Sequence, residues 1–249
     1  MKGKILNRLW CRIGCGLRLS LVGLRDLFFV RECAVCGAKL DSGERHLCPG
    51  CMDDIPLTYF WNYSENGAME TLGGRCHVYN AAALFFYRHD SRYCEIVRQF
   101  KYGGDTALGL WSAHLLGDYL AAGGLFAGVQ AVVPVPLHWR KRWKRGFNQA
   151  EVIARGIAES LGNLPVSPYL LRRLRYTSTQ TRKRAEQRAS NVSGAFALNV
   201  REAERLMAVG VRHVLLVDDV VTTGATLAAC VRLLEPCFTV SVATLGFVE

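Results

Sequence analysis

The stretch VLLVDDVVTTGAT, Val214 to Thr226, limits the fold of this chain more than any other segment. Its apolar start, Val214 to Val217, reads as a strand buried on both faces, the pattern of a parallel sheet. Asp218 and Asp219 follow at the strand's end, and the turn Thr222-Thr223-Gly224-Ala225-Thr226 then opens a helix. A helix N-terminus offers free N–H groups and the positive end of the helix dipole, so it favours a phosphate. Threonine hydroxyls add donors, and Gly224 lets the backbone approach closely. The two carboxylates would repel a bare phosphate but can accept hydrogen bonds from vicinal hydroxyls. A carboxylate pair followed by a phosphate nest suits a ribose 5-phosphate; the plainer reading is a polar loop with a threonine cap.

The rest of the chain repeats the strand-to-helix alternation. Strand-like sequence runs from Cys76 to Tyr87, with the apolar run Ala81 to Phe86, and again over Val129–Val135, Val211–Val217 and about Phe238–Leu245. Helical patterns cover Arg92–Lys101 and Ala107–Ala122, the second with Leu108, Trp111, Leu115, Leu116 and Tyr119 on one face. A further helix begins after Asn148, which together with Glu151 suggests a reciprocal capping pair, and ends at Gly162. A short helical piece lies near Glu202–Met207. The order predicts an α/β fold, a mostly parallel sheet covered by helices, with ligands beyond the C-terminal ends of strands.

Charge sharpens the placement. The chain of 249 residues carries a formal +10, and thirteen Lys/Arg against three Glu between His138 and Arg188 account for the whole excess. Such confinement suggests loops converging on an anionic ligand, the bland alternative being a solvated face. Within it, Arg140, Lys141, Arg142, Lys144 and Arg145 follow a strand as a basic loop, and Arg145-Gly146 lead toward a helix N-terminus, a second anion site suited to pyrophosphate. Trp139 and Trp143, interleaved with these cations, suit either stacking of single-stranded nucleic acid or cover for the edge of the core. The polar stretch Arg172–Ser193 has no apolar period and is too long for a plain connector.

Cys33-x₂-Cys36 is followed by Cys48-x₂-Cys51. Two such knuckles supply four thiolates to one tetrahedral Zn²⁺, a closed structural site; a redox dithiol suits one pair rather than two, and His46 is a spare ligand. Cys11, Cys15, Cys76, Cys94, Cys230 and Cys237 read as buried or free thiols of a cytoplasmic protein. Residues 1–26 form an amphipathic extension, with Ile5, Leu9, Ile13, Leu17 and Leu21 at every fourth position. It suits a peripheral membrane surface, a partner or packing on its own protein, and charges interrupt any spanning segment.

The acid pair and Thr-Thr-Gly-x-Thr turn resemble the signature of type I phosphoribosyltransferases. The resemblance implies phosphoribosyl pyrophosphate (PRPP) as ligand, with Mg²⁺ carried by its pyrophosphate and hydroxyls. Asp218 and Asp219 would hold the ribose hydroxyls, and Thr222, Thr223, Gly224 and Thr226 the 5-phosphate. A loop over the polar stretch would close on PRPP, with Arg182, Lys183 and Arg184 neutralising the departing pyrophosphate. Together with CAVCG…LCPGC, FKYGGD, PVPL…KRGFNQAE and T-x-x-Q…R-x-x-N-V-x-G-A-F, the whole is similar to the ComF family. That resemblance divides the chain into a zinc ribbon at 27–60 and a phosphoribosyltransferase-like domain at 76–249. It implies a role in DNA uptake, with single-stranded DNA as a partner; an active pentosyltransferase acting on a nitrogenous base is the alternative.

Overall fold

The structure, a computed structural model, describes residues 31–175 and 194–248. The amphipathic extension 1–26 and the triad Arg182, Lys183 and Arg184 lie outside the described residues. The chain divides into two compact units, one up to Asp54 and one from Ile55 onward.

In the first unit an antiparallel bridge, Glu32 to Lys39, brackets the first knuckle. The backbone doubles back there through Gly37 N–H to the Cys33 carbonyl (2.9 Å) and Cys33 N–H to the Ala38 carbonyl (2.7 Å). The second knuckle opens helix α1, Pro49–Asp53, whose proline sits in the first turn where no N–H is needed. Among the described residues of this unit, Cys33, Val35, Leu40, Leu47 and Cys51 are the buried apolar ones.

The second unit is built on four parallel strands: β1 Ala81–Phe86, β2 Ala131–Pro134, β5 His213–Val221 and β6 Thr239–Phe247, in the order β1-β6-β5-β2. Two further strands, β3 Leu171–Arg173 and β4 Phe196–Leu198, form a separate antiparallel pair. Between these lie helices α2 Gly67–Gly73, α3 Cys94–Arg98, α4 Thr106–Gly123, α5 Trp139–Arg145, α6 Gln149–Ser160, α7 Val200–Ala208 and α8 Ala225–Leu234. The apolar strand sequences are explained by burial on both faces. Val214 and Leu216 join a core with α2, α7 and α8, while Leu215 and Val217, equally buried, point the other way as the two-residue period requires. Pro134 is tolerated because β2 is the edge strand of this sheet.

Several local expectations are corrected. The buried face of α4 is Leu108, Gly109, Ser112, Ala113, Leu116, Gly117 and Leu120; Trp111, Leu115 and Tyr119 are only half-buried. Small residues, rather than leucines, set this packing because α4 and α6 approach closely. A methyl on Gly117 would stand 2.6 Å from Ser160 Cβ, and one on Gly156 2.7 Å from Ala113 Cβ. The basic segment after β2 is a helix, α5, because the buried His138 caps it: its Nδ1 accepts the Arg140 N–H at 3.2 Å. Asn148 does cap α6, accepting from the Ala150 N–H at 3.2 Å, and it meets Glu151 through its own side chain, Nδ2 donating to Glu151 Oε1 at 3.4 Å. The Glu151 carboxylate is also taken by Arg142, at 3.2 and 3.4 Å. The first residues of the polar stretch, Arg172 and Arg173, belong to β3.

Candidate functional site

β5 outruns its neighbour, and this exposes the acid pair. The last register pair between the two strands is Pro134 with Val217, closed by the Val135 N–H to the Val217 carbonyl at 2.9 Å. The strand itself continues along β6 through Asp218, Val220 and Val221. The carboxylates are therefore inside β5 and not after it, as the sequence suggests, yet they stand beyond the C-terminal end of β2. Parallel α/β sheets bind ligands at such a point.

The two carboxylates are held differently. Asp218 accepts the N–H of Asp219 at 2.9 Å. Asp219 accepts Lys101 Nζ at 2.9 Å, with both side chains mostly covered. Loss of water and the adjacent Asp219 charge push Asp218 up to about 7, although the Asp219 N–H, Lys101 and Arg173 pull the other way. Burial disfavours the Lys101 charge, but Asp219 and then Asp218 outweigh it and raise its pKa. On α5, burial lowers Lys141 to about 8, helped by the nearby Arg173 and Arg145 and opposed by Asp219. Arg173, on β3, is also depressed by burial and supported by Asp218. Two carboxylates thus face four cations from three separate segments, an arrangement with positive charge to spare for an anion.

The five cations of the α5 segment separate by role. Lys141 is half-buried near Asp219, and Arg145, half-buried next to Lys141 and Lys101, also donates to Gln149 Oε1 at 3.0 Å. Arg142 is committed to Glu151, and Arg140 lies over the Trp139 ring at 5.2 Å from its centroid. The Lys144 side chain lies outside what the structure describes. Trp139 and Trp143 do not cover the core edge: they are 65% and 89% exposed. The stacking alternative is the one their placement permits.

After Val221 the chain passes through the exposed Thr222 and the half-buried Thr223 to the buried Gly224, whose φ of +67° starts α8. Only glycine takes this conformation freely, and a methyl here would also stand 3.0 Å from Leu72 Cδ2. No side chain caps α8 and its first turn carries no acidic residue, so its N–H groups face no competing carboxylate from within the helix. Ala225 and Thr226 form its first turn. Gly146, at φ +81°, ends α5 and leads through Phe147 to the N-terminus of α6.

Sequence reasoning missed Lys101, Arg173, His138 and Gln149 as parts of this neighbourhood. Gln149 is 2% exposed, and its Nε2 lacks a hydrogen-bond partner. The FKYGGD segment held the signal for Lys101: a lysine between two aromatics before paired glycines is poorly explained by a solvated helix face. Arg173 carried no signal, because the charge-rich text around it hides a strand.

In the first unit the Sγ atoms of Cys33, Cys36, Cys48 and Cys51 all lie within 4.8 Å of one another. A tetrahedron with Zn–S of about 2.3 Å has edges of about 3.8 Å, and Cys36 and Cys48 already approach to 3.7 Å. These four thiols are positioned to hold a metal ion. Burial works to raise Cys33, but backbone N–H groups, that of Cys48 first, bring it down to about 6. Burial and hydrogen bonds to the other three cysteines drive Cys51 upward. Four thiols this close cannot all ionise without a cation among them. His46 is not needed, since the four sulfurs complete the set.

Among the described residues no helix is long and apolar enough to cross a membrane. No protein-family model matches the chain. Competence protein F of Haemophilus influenzae is 29% identical over 84% of this chain and 92% of its own length. The DNA utilization protein YhgH of Salmonella typhimurium is 33% identical over 56% of this chain and 59% of its own, and that of Escherichia coli K12 is 37% identical over 41% and 42%. These likenesses bear out the ComF resemblance carried by the motifs.

Proposed function

We propose that the second unit binds PRPP with Mg²⁺ beyond the C-terminal end of β2. The observation that carries this reading is the acid pair inside β5, set between four cations and the uncapped N-terminus of α8. Asp218 and Asp219 accept the ribose hydroxyls. The Thr222–Thr226 turn takes the 5-phosphate through backbone N–H and hydroxyl donors, and Lys141, Arg145 and Gly146 receive the pyrophosphate. Mg²⁺, when bound, neutralises pyrophosphate charge and is carried by ligand oxygens rather than by a protein cage. The four cysteines hold a structural Zn²⁺ that folds the first unit.

The relatives' names, competence protein F and DNA utilization protein, support a role in handling incoming DNA. In this reading PRPP is a regulatory input, and single-stranded DNA stacks on Trp139 and Trp143 while Arg140 and its neighbours meet the phosphates. A second reading, transfer of ribose 5-phosphate to a nitrogenous base, rests on the same acid pair, with Arg182, Lys183 and Arg184 as the candidates to neutralise the departing pyrophosphate.

Calorimetric titration with PRPP and Mg²⁺ tests the binding reading. Asp218→Asn with Asp219→Asn keeps the shape and removes charge-assisted acceptance, at about 1.5–3 kcal/mol per bond. The double variant is expected to bind at least about tenfold more weakly. Equal affinity would remove the acid pair from the site. Pyrophosphate release in the presence of a panel of bases would favour the transferase reading.

A further inference from the structure

The FKYGGD segment touches both halves of the candidate site. We propose that Lys101 is a positioning residue that sets the Asp219 carboxylate as a ribose-hydroxyl acceptor, and that the turn around it ties the acid pair to the basic helix. The proposal rests on the ribose phosphate reading and deepens it.

Three observations carry it. First, Lys101 Nζ lies 2.9 Å from Asp219 Oδ1, and the two side chains are only 19% and 17% exposed. A pair withdrawn from water this far has one geometry and not a family of loose ones. Secondly, the next residue, Tyr102, lies under the Arg145 guanidinium, 5.3 Å from its ring centroid. Consecutive side chains therefore reach β5 on one side and the end of α5 on the other. Thirdly, the backbone that carries them is special and anchored. Gln99–Gly103 is a π-helical turn continuing α3, closed by Gly104 at φ +73°. The extra residue in a π turn re-aims the side chains that follow, which is why such turns recur at functional sites.

The anchor is Phe100. It is wholly buried, it lies 5.7 Å from the Phe147 ring, and it fills the space left by Gly109 on α4. Asp105 then caps α4 through the Leu108 N–H at 2.9 Å, so the turn is fixed at both ends. Lys101 is thus delivered to Asp219 by packed backbone. Asp218 has its own orienting donor, the Asp219 N–H. Lys101 performs that service for the second carboxylate through Oδ1, and Asp219 Oδ2 is the oxygen assigned to a ribose hydroxyl.

If Lys101 acts through Asp219, its removal and the removal of the Asp219 charge are the same injury. This separates it from a lysine that simply meets the pyrophosphate. Titration of the full chain with PRPP and Mg²⁺, and separately with pyrophosphate and Mg²⁺, is run on wild type, K101M, K101R, D219N and K101M/D219N. The expected result is a loss of PRPP affinity of at least tenfold in K101M and in D219N. The double variant should lie within about twofold of either single, because coupled residues are non-additive. K101R should recover most of the affinity, and pyrophosphate binding should change less than threefold in K101M. Additive losses in the double variant, an equal loss for pyrophosphate, or unchanged or tighter PRPP binding by K101M would each overturn the proposal. Where K101M does not fold, K101Q, which keeps length and polarity, carries the same comparison. Failure of the wild type to bind PRPP would overturn the ribose phosphate reading, and this proposal with it. Normal wild-type binding beside an unaffected K101M overturns this proposal alone.

Discussion

Gly109→Ala sets two well-measured effects against each other. Gly109 lies inside α4, where alanine should favour the helix by about 0.8–1 kcal/mol. The new methyl, however, would stand 2.2 Å from Phe100 Cε2 and 2.3 Å from its Cδ2. Carbon atoms need about 3.5 Å or more, so the ring must retreat by more than an ångström, and Phe100 is 0% exposed with nowhere to go. Overpacking of this kind costs about 1–3 kcal/mol, occasionally more. With an overlap this deep the upper end applies, and the net loss is about 2 kcal/mol. For a unit of this size each kcal/mol moves the melting temperature by about 2–4 °C, so a fall of about 4–8 °C is expected. Gly73→Ala is the control: Gly73 closes α2 with nothing within 4 Å of the added methyl, and the same substitution should leave stability unchanged or slightly raised. Differential scanning calorimetry of both variants decides the matter. A Gly109→Ala protein melting at or above the wild type would refute the claim that Phe100 is locked in place.

Other consequences are equally specific. The Glu202 carboxylate is held down to about 2, by Arg205 first and with the Ser167 hydroxyl assisting against burial. Its folded pKa being the lower one, its stabilisation is present above the ordinary value of about 4.5 and is lost as pH falls toward 2. Because Arg205 is 59% exposed, solvent screening reduces the effect to at most about 1 kcal/mol. Urea denaturation should show Glu202→Gln destabilised by that amount at pH 7, with the gap shrinking steadily below pH 4.5; a pH-independent gap would contradict the assignment. Cys51→Ser should lower zinc from about one ion per chain and release the amides of residues 33–51 to fast hydrogen exchange; full metal content in the variant would count against a four-sulfur site. Trp143→Ala should weaken single-stranded DNA by about 5- to 150-fold, following the roughly 1–3 kcal/mol of one stacked base, while leaving stability within about 0.5 kcal/mol. Unchanged anisotropy titrations would return the exposed tryptophan to an ordinary surface role.

What was legible in the sequence followed from strong, local signals. The runs Ala81–Phe86, Ala131–Pro134 and Val214–Val217 have no polar face, so burial on both sides and parallel pairing could be read directly. The cysteine spacing likewise announced a cluster, because two short knuckles can bring four sulfurs together with little help from the rest of the chain. Signals that depend on a partner were lost. The stripe Leu108, Trp111, Leu115, Leu116 and Tyr119 catches the buried Leu108 and Leu116 of α4 but misses its small residues, since Gly109 and Gly117 gain their meaning only from Phe100 and from α6 packed against them. The helix over Trp139–Arg145 looks like a loop in sequence: a run of cations has no apolar period, and His138 does not announce itself as a cap. The acid pair was recognised as a site but placed past the strand, because nothing in residues 214–221 reveals that β6 continues beside them after β2 has ended. FKYGGD marks Lys101 in the sequence but not its partner, because more than a hundred residues separate it from the carboxylate it meets.

Hydrogen exchange of the full chain with and without saturating PRPP and Mg²⁺ tests the central claim most directly, since it locates the ligand without assuming any residue's role. The account predicts slowed exchange in two places: the backbone around Thr222–Leu227, where the 5-phosphate meets the start of α8, and around Lys141–Ala150, where pyrophosphate meets the end of α5 and the start of α6. The amides of Cys33–Cys51 should be unaffected. Protection confined to other segments, or no protection at concentrations that saturate calorimetric binding, would contradict a ribose phosphate site built on Asp218 and Asp219.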